Sequence, residues 1–302
     1  QIYVAPPSLP PGVPSLSQAV FQPPVRRAAI PRQSQQRVFV SGIMTEFMPR
    51  SALYMPANNP RALAKAPSLP CDAVILDLED SVAPTEKAAA RQAAAAAMVD
   101  PEMRQRPLIL RTNALDSPAF EADITVARQA DAVLVPKIST LHELAACSAA
   151  LQGCPARLWV MIETPLAVLD IAALARGAAQ AAPQLQAFVL GTNDLAKDTG
   201  TALVADRWTM VPWLSQVVLA ASAFGLLVLD SVSNNFRDLD TFAAECAQGA
   251  ALGMDGKTLI HPAQIDACNH AFSPSAEALA HAQAVVKLFA QPENADRGAV
   301  QL

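Results

Sequence analysis

From Arg50 onward the chain repeats one unit eight times: a short apolar run followed by a stretch of helical character. The runs cover residues 51–56, 73–80, 108–113, 132–137, 158–163, 187–194, 226–230 and 257–261. The helical stretches cover 60–66, 85–99, 118–129, 141–151, 165–176, 212–224 and 240–252, and an eighth runs to about residue 272. Runs that are apolar throughout, rather than alternating, are strands buried on both faces, as in a parallel sheet covered by helices. Strict alternation of strand and helix selects an α/β architecture, and eight of each is the count of a (β/α)8 TIM barrel. The competing doubly wound sheet opens its first crossover with a glycine-rich phosphate turn, whereas Pro-Ala-Asn-Asn-Pro (56–60) stands there here. Pro165 suits the first turn of a helix and Gly253 suits a helix C-cap. One additional amphipathic helix is predicted over 275–290.

Composition supplies the material for such a barrel: of 302 residues, 52% are hydrophobic and 16% charged. The net charge of −5 carries no basic signature for nucleic acid, and no apolar run is long enough to span a bilayer. Five scattered cysteines (Cys71, Cys147, Cys154, Cys246, Cys268) lack Cys-x-x-Cys spacing and read as reduced thiols of a cytoplasmic protein. Residues 1–45 stand apart, with eight prolines before residue 32, four arginines and no acid until Glu46. They are expected to be a disordered Pro/Arg-rich extension, non-native or misassigned, with no functional residue in it. The barrel is expected over 46–272, and 273–302 should hold the extra C-terminal helix and the start of a lid segment.

In a barrel the carboxyl ends of all strands meet at one face. The polar strand tips are Glu79 and Asp80, Arg111, Lys137, Glu163, Asp194, Asp230 and His261. Any one of them has an ordinary explanation, an aspartate capping the next helix above all. Together they put many acids on one face, which repel unless a cation or the nearby Arg and Lys compensates. Glu163 and Asp194 each follow a wholly apolar run with no adjacent basic residue. Two carboxylates, with the other positions left to water and substrate oxygens, form a Mg²⁺ pattern. No His or Cys cluster accompanies them to favour a softer metal. Arg111 offers a planar fork for a carboxylate or carbonyl. The set suggests an anionic oxo acid held by metal and arginine, with the metal as Lewis acid stabilising an enolate.

The segments Arg50-Ser, Leu76-Asp-Leu-Glu-Asp80, Arg111-Thr-Asn, Val135-Pro-Lys137, Ile162-Glu-Thr164, Gly191-Thr-Asn-Asp-Leu195, Phe224-Gly and Gly256-Lys-Thr-Leu-Ile-His-Pro262 resemble the HpcH/HpaI aldolase and citrate lyase β-subunit superfamily. The CoA-ester lyases that act on citryl-CoA and malyl-CoA fit best. The resemblance implies that Glu163 and Asp194 bind Mg²⁺ and that Arg111 and Glu163 hold the substrate acid. It implies that Glu79 and Asp80 order water and support Arg111. Arg50 would lie along the CoA or substrate entrance, and Ile260 and His261 would line the pocket. The implied reaction is reversible carbon–carbon cleavage of a malyl-, citramalyl- or citryl-CoA thioester to an acyl-CoA and a 2-oxo acid, in a homotrimer or hexamer. A malyl- or citramalyl-CoA hydrolase or synthase is a related option. Alternatives are a class II aldolase on free hydroxy-oxo acids and a citrate lyase β-type subunit active only with an acyl carrier partner. Related lyases continue into a lid bearing an acidic residue, so the end at Leu302 reads as trimmed.

Overall fold

The computed structural model describes residues 47–291. Strands β1 (Ser51–Pro56), β2 (Ala73–Asp77), β3 (Leu108–Arg111), β4 (Ala132–Val135), β5 (Arg157–Ile162), β6 (Leu185–Leu190), β7 (Leu227–Asp230) and β8 (Gly256–Leu259) close a parallel barrel in chain order. Helices α1 (Pro60–Lys65), α2 (Lys87–Val99), α3 (Phe120–Ala127), α4 (Leu141–Ala150), α5 (Pro165–Leu169), α6 (Ile171–Ala181), α7 (Thr192–Thr199), α8 (Val211–Phe224), α9 (Leu239–Leu252) and α10 (Ile265–Ala271) run between and after them. The fold is the (β/α)8 barrel that the alternation predicts. A further helix, α11 (Ala276–Phe289), belongs to a separate unit from the barrel, which ends at Ser275. The 1–45 extension and the start of a lid lie outside the described residues. Among the described residues no helix is long and apolar enough to cross a membrane, and all five cysteines are free thiols.

The strands are apolar on both faces because each face meets a different core. Ala52, Ile75, Ile109, Leu134, Trp159, Met161, Val189 and Leu229 pack inside the barrel. Their chain neighbours Leu53, Val74, Leu76, Leu110, Val133, Val160, Phe188 and Val228 pack outward under the helices. The two-residue period of a strand fixes this division. It also decides where each strand's last polar residue points.

Three local features depart from the sequence reading. Strand β2 ends at Asp77, not Asp80, because the Asp77 carboxylate accepts the backbone N–H groups of Glu79 and Ser81 and turns the chain. The expected helix over 165–176 is two helices meeting at Asp170, whose backbone (φ −97°, ψ 9°) leaves the helical region. Helix α7, absent from the expectation, starts directly after Gly191 and closes at Gly200 with φ +71°. A Gly-Thr-Asn-Asp opening reads as a turn by composition, yet buried Leu195 and Ala196 anchor it as a helix.

Candidate active site

Asp77, Arg111 and Glu163 continue the inward parity of Ile75, Ile109 and Met161, so all three crown the barrel interior at its carboxyl end. Asp77 and Arg111 are register partners on β2 and β3. Arg111 donates from Nε and Nη2 to the two Asp77 oxygens at 2.6 and 2.7 Å, a bidentate fork. Its Nη1 lies 2.8 Å from Glu79 Oε2 and 3.5 Å from the mostly exposed Asp80. Its guanidinium covers the Tyr54 ring, Cζ 4.8 Å from the centroid. Burial alone would raise the Asp77 carboxyl, but hydrogen bonds and charge from Arg111 outweigh it and hold Asp77 below its ordinary range.

Glu163 has no such partner. It is 2% exposed, and Oε1 accepts the Lys137 backbone N–H at 2.8 Å. Among the described residues no side-chain cation lies within ion-pairing distance of it. Burial first, then the charges of Glu79 and Asp194, push its carboxyl up to about 8. Two backbone features shape this seat. Gly191 lies against it so closely that a Cβ there would sit 2.4 Å from Glu163 Cβ and 2.6 Å from Oε2. Lys137 adopts a left-handed φ of 57°, the conformation in which its N–H meets Glu163. The Lys137 ammonium turns instead to Glu79, 3.3 Å from Oε1. Burial raises the Glu79 carboxyl more than Arg111 lowers it.

Asp194 is half-buried in the first turn of α7, four residues past the end of β6 rather than at its tip. A carboxylate suits that position, where the helix dipole is positive. Its charge reaches Glu163. Among the described residues no three His, Cys, Asp or Glu side chains converge into a ready-made cage. Two carboxylates with open positions still match the chemistry of Mg²⁺, which keeps water and substrate oxygens as ligands. A buried carboxylate raised by neighbouring acids is the donor set that a divalent cation would relieve, so the residues fit the group.

The structure brings Glu79, Asp80, Arg111, Glu163 and Asp194 to one end of the barrel. Ile260 and His261 follow β8 at the same end. There His261 stacks on Phe236 with centroids 4.3 Å apart, and its Nδ1 accepts the Ala263 N–H at 3.1 Å. Arg50 does not join them. It precedes β1 at the amino-terminal end, where Nε and Nη2 bind Asp72 at 2.8 and 2.7 Å and Nη1 binds Ser273. Its place at an entrance to the site is thereby corrected: it ties the bottom of the barrel. Asp230 is corrected too. It alternates with inward Leu229, so it faces outward and is fully buried beneath the helices. There it pairs with Arg207 at 2.8 Å and Lys257 at 3.1 Å. The sequence reading missed Asp77, Tyr54 and Gly191 as site residues. Asp77 shares the parity of Ile75, which only the packing of Ile75 inside the barrel identifies as inward.

The architecture so defined is a parallel barrel with an acid-rich mouth, one clamped arginine and a buried carboxylate without a cationic partner among the described residues. The chain belongs to the HpcH/HpaI aldolase/citrate lyase family, whose model matches residues 50–262. It is 41% identical over 251 residues to a (3S)-malyl-CoA thioesterase of Cereibacter sphaeroides, covering 82% of this chain and 86% of that relative. It is 30% identical over 271 residues to the mitochondrial citramalyl-CoA lyase of Rattus norvegicus, covering 84% of this chain and 80% of that one. The solved structure of CitE from Mycobacterium tuberculosis in complex with magnesium, acetoacetate and coenzyme A superposes with a TM-score of 0.66 at 31% identity, over 84% of this chain and 90% of that chain. The relatives are thus enzymes of CoA esters, lyases and thioesterases both.

Proposed function

We propose that this chain is a Mg²⁺-dependent enzyme that cleaves a malyl-type CoA thioester into an acyl-CoA and a 2-oxo acid. The observation that carries the reading is Glu163, a carboxylate 2% exposed that meets a backbone N–H and no side-chain cation among the described residues. Glu163 and Asp194 would hold the cation, which when bound supplies Lewis-acid stabilisation of charge on the acid's oxygens. Arg111, with Nε and Nη2 fixed by Asp77, would share Nη1 between Glu79 and the substrate's carboxylate. Glu79 is the carboxylate placed to accept the substrate hydroxyl proton, with Lys137 and Arg111 stabilising its charge. As that O–H becomes a carbonyl, the adjacent carbon–carbon bond breaks and its electron pair enters the thioester as an enolate. Return of the proton to the enolate carbon completes the acyl-CoA, and no other reactant is consumed.

Hydrolysis of the same thioester to the free hydroxy acid and CoA is the second reading. It is supported by the 41% identity to a (3S)-malyl-CoA thioesterase, against 30% to a citramalyl-CoA lyase. One experiment separates them. The full chain is given (3S)-malyl-, citramalyl- or citryl-CoA with Mg²⁺ or EDTA, and 2-oxo acid, acyl-CoA and free thiol are measured. A 2-oxo acid appearing with acyl-CoA and no thiol marks the lyase, and equimolar thiol and hydroxy acid mark the hydrolase. Turnover that persists in EDTA, or none with any ester, sinks the proposal.

A further inference from the structure

Tyr54 belongs to the inward face of β1, in register with Ile75 and one inward layer below Asp77. Its ring is accounted for: the Arg111 guanidinium lies over it at 4.8 Å. Its hydroxyl is not. That oxygen is buried and has no hydrogen-bond partner among the described residues. It nonetheless lies within electrostatic reach of Arg111, Asp77, Glu163 and Glu79, the groups that crown the barrel. Burial outweighs the lowering by Arg111 and, with the surrounding acids, lifts the phenol above its usual range, so it remains a neutral donor. A buried phenol without a partner costs stability that phenylalanine, packing in the same place, would not. Such a group calls for an explanation, and beside Arg111 a ligand oxygen supplies one.

We propose that Tyr54 is a substrate-binding residue whose hydroxyl donates to an oxygen of the small acid held beside Arg111. The inference rests on the reading of this mouth as an acid-binding site and adds to it a neutral donor one inward layer below Asp77. A neutral donor distinguishes ligands by where their oxygens lie and not by charge alone, so Tyr54 selects acids carrying an oxygen at that depth.

Tyr54→Phe keeps the ring beneath Arg111 and removes only the hydroxyl. The full-length variant and the wild type are compared by thermal melting without ligand, and by calorimetric titration with L-malate and with glyoxylate in the presence of Mg²⁺. The expected result is an unchanged or raised Tm together with about tenfold weaker binding of at least one acid. A lowered Tm would show that the hydroxyl has a structural role and overturn the proposal. Wild-type binding that Tyr54→Phe leaves unaltered would overturn it while sparing the reading of the site. Failure of the wild type to bind either acid would bring down both the substrate class and the role of Tyr54 in holding it.

Discussion

The barrel holds two clusters of charge, one buried beneath the helices and one partly open at the mouth, and they are built on opposite principles. Beneath the helices, Asp230 and Glu245 face Arg207 and Lys257, two acids against two bases. Every member is in contact with an opposite charge, Lys257 lying 2.5 Å from Glu245 and 3.1 Å from Asp230. Gly249 leaves room for the Asp230 carboxylate, since a Cβ there would come within 2.8 Å of Oδ2. At the mouth, Asp77, Glu79, Asp80, Glu163 and Asp194 gather around Arg111, Lys137 and Lys87, five acids against three bases. Among the described residues Lys87 meets only the Leu78 and Glu79 carbonyls. A balanced buried cluster has nothing left to bind and serves the fold. An unbalanced one leaves a charge to be met from outside, which is the ground for proposing the mouth as the site.

Glu163→Gln should separate the two clusters most sharply. The variant keeps the side chain's size, removes its repulsion with Glu79 and Asp194, and takes away one proposed metal ligand. Metal-free protein should lose no stability, while Mg²⁺-dependent turnover disappears. A ligand at a hundredfold excess over its Kd adds about 2.7 kcal/mol of stability, so Mg²⁺ should raise the wild-type Tm by several degrees and leave Glu163→Gln unmoved. Melting curves with and without Mg²⁺ test this. An equal Mg²⁺ shift in both proteins removes Glu163 from the metal site.

The barrel was legible because its signal is repeated: eight apolar runs at regular spacing admit few folds. The direction of each strand tip was not, for a physical reason. A parallel strand covered on both faces is apolar at every position, so the alternation that would separate Asp77 from Asp230 is erased from the sequence. Only the packing of Ile75 inside and Val228 outside restores it. Asp194 reads in the sequence as a strand tip, whereas it lies in the first turn of a helix. Arg50 was misread although it directly precedes β1, and its bonds to Asp72 and Ser273 hold it at that amino-terminal end. Gly191 left no chemical trace at all, since its contribution is the space its missing Cβ leaves for Glu163.

The balanced cluster should fail in the opposite way. Asp230→Ala leaves Lys257 and Arg207 buried with one carboxylate between them, and breaking a buried pair from one side costs about 3–5 kcal/mol. Urea unfolding of the variant should show that loss, with residual Mg²⁺ binding intact in the folded fraction. The loss should depend on pH with a defined sign. Burial would raise the Asp230 carboxyl, but Lys257 and Arg207 outweigh it and hold it below its ordinary value of 3.8. Its stabilisation is therefore fully present above that value and fades as pH falls through the folded one. Wild type and Asp230→Ala should differ most at neutral pH and converge in acid. A difference below about 1 kcal/mol at pH 7 would mean that the cluster resembles an exposed ion pair.

Each cluster also contains a basic residue with a left-handed backbone, Lys137 at φ 57° and Arg207 at φ 53°. At Lys137 the conformation has a visible use: it directs the backbone N–H to Glu163 while the side chain, 48% exposed, reaches Glu79. A left-handed non-glycine residue costs roughly 1–2 kcal/mol, which glycine escapes. Comparing Lys137→Gly with Lys137→Ala isolates that cost, because both lose the ammonium and only alanine keeps a Cβ. The glycine variant should be the more stable by about 1 kcal/mol in urea unfolding, with the N–H to Glu163 preserved and Mg²⁺ binding unchanged between the two. If alanine matches glycine in stability, the backbone at 137 is unstrained and its turn toward Glu163 carries no energetic cost. If Mg²⁺ binding differs between them instead, the flexibility of this segment, and not the side chain it lost, controls how the Glu163 carboxylate is held.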